Sequence, residues 1–195
     1  MLSLDNVVSF STIVSNVAIA ASVAGAAISY VVANRRKRKE FVASEYRRFK
    51  SIPEVKQVLL MLDGGGTPIV VRDKDITHLS YTELFNTLRI HEHASQRFEP
   101  WEDAIRKGFQ EFLEELTVLA EYLRSGIATE SDLRPYLCFW LDLLCGKRWL
   151  SLSDVAVFWD HIDYYGFDDI RWFFERLDYL PPPPRVGVRQ EQGTP

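Results

Sequence analysis

The apolar positions of this chain follow two different rules. From Asn6 to Asn34 there is no charged residue, and the run is largely apolar. After Lys39 the apolar positions become periodic, and polar residues alternate with them at helical spacing.

The first pattern predicts a transmembrane helix over Val7–Ala33. At 1.5 Å per residue that stretch spans roughly 40 Å, against about 30 Å of hydrocarbon. Phe10 and Tyr30 fall where interfacial aromatics sit. Arg35, Arg36, Lys37, Arg38 and Lys39 then form a basic stop, suited to anionic lipid headgroups. A secretory signal has its positive charge before the apolar core; here Met1–Asn6 carries only Asp5. A helix buried in an assembly is the other reading of the stretch. The basic flank predicts a single-pass protein of the inner (plasma) membrane, N-terminus outside and C-terminal domain cytoplasmic.

Within that helix Ser11, Ser15, Ala18, Ser22, Gly25 and Ser29 recur at steps of four and three, on one stripe. Small residues let helix backbones approach closely in lipid, so this stripe is the expected helix-packing face. Its partner would be another membrane subunit or a second copy of the chain.

The second pattern predicts an all-α, antiparallel helical domain over 40–180, after a 1–39 anchor and before a Pro-rich tail over 181–195. Glu40–Lys50 continues the anchor helix, since no breaker intervenes before Pro53. Pro53 opens a helix carrying Val55, Val58, Leu59 and Leu62, which Asp63-Gly64-Gly65-Gly66 ends. That glycine run lacks the Lys-Ser/Thr of a phosphate loop. Pro68–Val71 reads as extended, and Asp73-Lys74-Asp75 as a turn. Ser80 with Glu83 forms a capping box opening a helix to about His93.

The clearest helix runs from Pro100 to Ser125. Trp101, Ile105, Phe109, Phe112, Leu116, Leu119 and Leu123 make one stripe, with the charged residues, Arg106 among them, on a solvated side. Gly126 closes it, with Ile127 expected to fold back onto the helix. Thr129 and Asp132 cap a helix to Cys145 that is apolar nearly all round, and so is expected to be central. Ser151 or Ser153 caps the next, to Tyr165. Asp168 or Asp169 caps the last, through Leu177. Short turns joining the helices predict antiparallel neighbours.

Charge sharpens the division. Of 23 Lys+Arg and 27 Asp+Glu, residues 1–39 hold five and one, leaving 18 and 26, a formal −8, for the remainder. An acidic domain argues against nucleic acid as a partner. Cys138 and Cys145, with no CxxC, read as thiols buried in a reducing compartment.

Candidate chemistry is sparse. His91-Glu92-His93 has i, i+2 spacing, which on a helix points the two rings apart, so no metal or other cofactor is expected. Asp160-His161-Ile162-Asp163 offers a carboxylate–histidine pair for general-base work, but no nucleophile motif accompanies it, and an acidic surface is the favoured reading. The aromatic-rich end offers Trp159, Tyr164, Tyr165 and Trp172 as partner-binding anchors. Pro181–Pro184 favours polyproline II and reads as a rigid stop.

Phe109–Leu116, then Gly126-Ile127, then Leu137–Trp140, resemble a bacterial family of uncharacterised proteins with one N-terminal membrane helix and an all-helical cytoplasmic domain. The resemblance implies that architecture and no activity, catalytic residue or cofactor. The expected function is that of a membrane-tethered helical interaction protein, a scaffold or accessory subunit of a larger membrane assembly. The alternative is a membrane-anchored enzyme, possibly metal-dependent, using His91, His93, Asp160, His161 and Asp163.

Overall fold

The computed structural model describes residues 4–63, 69–71, 74–76, 79–90 and 98–180, with side chains described from residue 22 onward outside the two strands. Gly64–Gly66, His91, His93 and the tail from Pro181 lie outside the described residues. The chain divides into two units, Met1–Phe41 and Val42–Pro195.

The first unit is helix. α1 runs unbroken over Leu4–Ser51 and so extends into the second unit, as the lack of a breaker before Pro53 predicts. From Ser22 to Asn34 every residue is exposed, Val23, Ile28, Tyr30 and Val32 by 60% or more. Among the described residues no helix is long and apolar enough to cross a membrane. Only Ser22–Asn34 of the uncharged stretch has described side chains, so the expected span does not fall wholly within them.

The second unit is predominantly helical. Pro53 lacks the N–H that would extend α1, and it occupies the start of α2, Pro53–Asp63. Val55, Val58, Leu59 and Leu62 are buried there, as their spacing predicts, with Met61. β1, Ile69–Val71, and β2, Lys74–Ile76, form a small antiparallel hairpin with Ile69 opposite Ile76. Lys74 and Asp75, expected in a turn, pair instead with Val71 and Val70.

α3, Tyr81–Asn86, begins at the Ser80–Glu83 capping box but ends well before His93. The Thr87 hydroxyl donates to Leu84 O at 2.7 Å, and tight bonds from Leu88 N to Phe85 O and Arg89 N to Asn86 O replace helical ones. The Thr87 and Arg89 carbonyls are taken instead by the Arg106 guanidinium, at 2.6 and 3.2 Å.

α4, Pro100–Arg124, is the central helix, in place of the expected Thr129–Cys145 segment. It packs most closely against α2 and against α7, Asp168–Arg176, helices far from it in chain order. Gly108 permits the first approach, since a Cβ there would meet Val58 Cγ2 at 3.3 Å. α5, Glu130–Leu144, buries Leu133, Leu137, Leu141, Leu143 and Leu144 but leaves Phe139 and Trp140 half-buried. Its N-terminus is capped as expected, with Asp132 accepting from the Thr129 amide and hydroxyl.

α6, Leu152–Tyr165, starts at Ser151 and ends at Gly166, whose φ of 73° is left-handed and suits glycine. At α7 the N-cap is Phe167, so Asp168 and Asp169 sit in the first turn, where the helix dipole favours carboxylates. At the end of α4 Ala128, not Ile127, is buried, and its amide donates to Tyr122 O at 2.9 Å.

The core is a chain of rings. Phe49 of α1 touches Phe112; Phe109, Phe85 and Phe158 lie mutually within 6.4 Å between centroids; Trp159 joins Phe158 to Phe174.

Candidate functional site

Two helices each contribute a pair of residues four apart to one cavity. α4 supplies Arg106 and Gln110; α6 supplies His161 and Tyr165; Phe167 follows the turn at Gly166. Four-residue spacing puts both members of each pair on one helix face. The cavity has a volume of about 260 Å³.

His161 is 4% exposed, and its Nδ1 lies 3.0 Å from Leu88 O. A carbonyl only accepts, so Nδ1 carries the proton. Burial pushes the imidazole pKa down to about 4, and the ring is neutral at pH 7. Nε2 is then a bare acceptor. Among the described residues Nε2 has no hydrogen-bond partner, and the His161 ring lines the cavity.

Arg106 spans the cavity. Its Nη1 donates to Thr87 O and Arg89 O, its Nη2 donates to the Tyr165 hydroxyl at 2.8 Å, and its guanidinium lies 4.2 Å from the centre of the Phe98 ring. Among the described residues no carboxylate pairs with it. The Tyr165 ring lies tilted against that of His161, 4.6 Å between centroids, and its hydroxyl, having accepted from Arg106, keeps its own proton to donate. The cavity thus presents the His161 acceptor, one hydroxyl donor and one cation, together with the amide of Gln110, whose Nε2 donates to Glu114 at 2.9 Å.

It does not present a carboxylate–histidine dyad. The His161 partner is a backbone carbonyl, and Asp163 is held by Arg171, whose Nη2 lies 2.8 and 2.9 Å from its two oxygens. Among the described residues no group of three or more His, Cys, Asp or Glu is placed to hold a metal ion; His91 and His93 lie outside them. Cys138 and Cys145 are free and half-buried, and burial pushes the Cys145 thiol up to about 12.

The four expected aromatic anchors are not one surface. Trp159 is a core residue: it is 2% exposed, and its indole N–H donates to Leu144 O at 2.9 Å. Its ring is large enough to bridge Phe158 and Phe174, so burial takes it from the surface role. Tyr164 and Tyr165 pack together, 5.0 Å apart, at the end of α6. Trp172 lies elsewhere, under the Arg124 guanidinium at 4.6 Å, in an open cavity of about 570 Å³ that shares no lining residue with the His161 cavity.

A second aromatic surface went unread in the sequence. Tyr136, Phe139 and Trp140 share the outer side of α5; Tyr136 stacks on Tyr46 at 5.0 Å, Phe139 contacts Trp149 at 5.7 Å, and the exposed Trp149 donates to the Tyr81 hydroxyl at 2.7 Å. Its i, i+3, i+4 spacing was visible, but on a helix apolar nearly all round it did not distinguish outside from inside.

Of the small-residue stripe, Ser11, Ser15 and Ala18 lie where no side chain is described. Ser22, Gly25 and Ser29 are exposed, and a Cβ at Gly25 would meet nothing within 4 Å. In the basic run Arg36 pairs with Glu40 at 2.9 Å across one turn, and Arg35, Lys37 and Lys39 are exposed.

Comparison with protein families, with curated proteins and with solved structures finds no match, so the resemblance seen in the sequence carries no family assignment.

Proposed function

We propose that this chain is a membrane-tethered helical interaction protein, a scaffold or accessory subunit of a larger membrane assembly, with the domain after the basic run on the cytoplasmic side. One observation carries the reading. From Ser22 to Asn34 α1 is uncharged and every residue is exposed, Val23, Ile28, Tyr30, Val31 and Val32 among them, with only Ser22, Ser29 and Asn34 polar. An uncharged, mostly apolar helix is stable where lipid or other helices surround it. The five cations that follow lie where a stop would, with the membrane interior on their N-terminal side. The partly exposed aromatics, Trp149, Tyr165 and Trp172 among them, are of the residue types that anchor protein interfaces.

Fractionation tests it. The protein should remain with membranes through alkaline carbonate extraction, and protease added to intact cells should leave the domain from Val42 onward uncut. Release by carbonate, or digestion of that domain from outside, would refute the tether or its orientation respectively.

A further inference from the structure

We infer that the cavity between α4 and α6 binds a small organic anion, a carboxylate that also carries a hydroxyl group, with Arg106 and Tyr165 holding the carboxylate and His161 Nε2 accepting from the hydroxyl. The site lies within the Val42–Pro195 unit and stands independently of the membrane reading.

Three features of the cavity select that chemistry. A neutral imidazole whose Nδ1–H is fixed on Leu88 O can only accept at Nε2, so whatever meets it must donate. A guanidinium has five N–H groups; Nη1 and one hydrogen of Nη2 are used on Thr87, Arg89 and Tyr165, which among the described residues leaves Nε–H and the second Nη2–H. The Tyr165 hydroxyl adds another donor beside them. Convergent donors on an Arg that pairs with no carboxylate among the described residues suit a ligand carboxylate, in a domain whose net charge otherwise repels anions. One ligand bearing both groups satisfies all of them.

Size and access agree. At roughly 30 Å³ per water, a cavity of about 260 Å³ has room for a molecule of about eight or nine non-hydrogen atoms. Tyr165, 52% exposed, forms its outer wall and leaves a way in.

The experiment uses the full chain in detergent micelles with nitrogen-15-labelled histidine. Lactate, malate and glycerate are titrated while the His161 Nε2 resonance is followed. Propionate serves as the analogue without a hydroxyl, lactamide as the analogue without a charge. At least one hydroxy acid should shift Nε2 saturably, with propionate about tenfold weaker and lactamide weaker still, since each loses one hydrogen bond or the ion pair. Tyr165→Phe keeps the ring packing and should weaken binding about tenfold with the unfolding midpoint unchanged. No saturable shift from any of the three hydroxy acids overturns the inference. So does equal binding of propionate and lactate, which would mark a general attraction of anions to Arg106, or binding that Tyr165→Phe leaves untouched.

Discussion

α1 before Asn34 and α4 are both long helices rich in apolar residues, yet their side chains meet opposite conditions. Those of Ser22–Asn34 are exposed on all sides. Those of α4 are buried along its length, from Ile105 through Phe109, Phe112 and Leu116 to Ala120. Apolar content does not separate the two. In α4 the apolar residues fall on one side and the charges on the other, so the helix buries one face and solvates the other. In Ser22–Asn34 no charge interrupts the circle, the only polar residues are Ser22, Ser29 and Asn34, and no partner within the described residues covers it. On the proposed reading, lipid or another helix covers that stretch.

The contrast predicts its own largest effect. Phe109→Ala removes a ring wedged between Phe85, Phe112 and Phe158 and should cost about 3–5 kcal/mol. Val31→Ala, on the exposed part of α1, should leave the urea midpoint of the detergent-solubilised chain where it was. Comparable losses for both would mean that α1 is packed against the domain after all.

Next comes His161, which ties the domain's stability to pH. Its folded pKa of about 4 lies below the ordinary 6.5, so the unfolded chain binds the proton more tightly between those values. The associated stability is complete above 6.5 and is lost as pH falls toward 4, about 3 kcal/mol in all. His161→Phe should flatten the dependence over that window, while the exposed half of α1, which has no histidine, contributes none of it. Parallel pH profiles for the two proteins would show that the imidazole is solvated.

The same substitution at two glycines sharpens the comparison further. Gly108→Leu drives a side chain against Val58 and should cost about 1–3 kcal/mol of domain stability. Gly25→Leu meets open space and should leave the domain as stable as before. If another helix packs on the small-residue stripe in lipid, Gly25→Leu should instead weaken crosslinking to that partner by roughly ten- to a hundredfold, and Ile13→Leu, which helical spacing puts opposite the stripe, should not. Equal crosslinking in both variants would make the stripe composition alone.

The smallest effect is at α3. Ser80→Ala removes the hydroxyl that accepts from the Glu83 amide at 3.2 Å and should cost about 1 kcal/mol by thermal melting. No loss would mean that burial of Leu84 and Phe85, rather than the cap, holds this short helix.

The sequence alone marked many of the helix boundaries, with Ser151 one of two candidates for its cap. Pro53, the Ser80–Glu83 box, Pro100, Thr129 with Asp132, Ser151 and Gly166 act within a turn or two of chain, and each marks a boundary in the structure. Helical spacing likewise marked most buried positions of α2 and α4, because an apolar stripe is a property of one helix.

The tertiary structure decided which helix is central, where α3 ends, and what forms the cavity. Phe167 took the cap that Asp168 or Asp169 was expected to fill, and Trp159 went into the core, because their neighbours come from other helices. Arg106 is the clearest case. On α4 it stands with the charged residues, but Leu113 and Ala120, seven and fourteen positions on, are buried and widen the stripe toward it. That was the one local hint. Its partners, Thr87, Arg89 and Tyr165, lie 19, 17 and 59 residues away. Contacts across such separations arise only once helices pack, because periodicity records which face of a helix is buried and not what it is buried against.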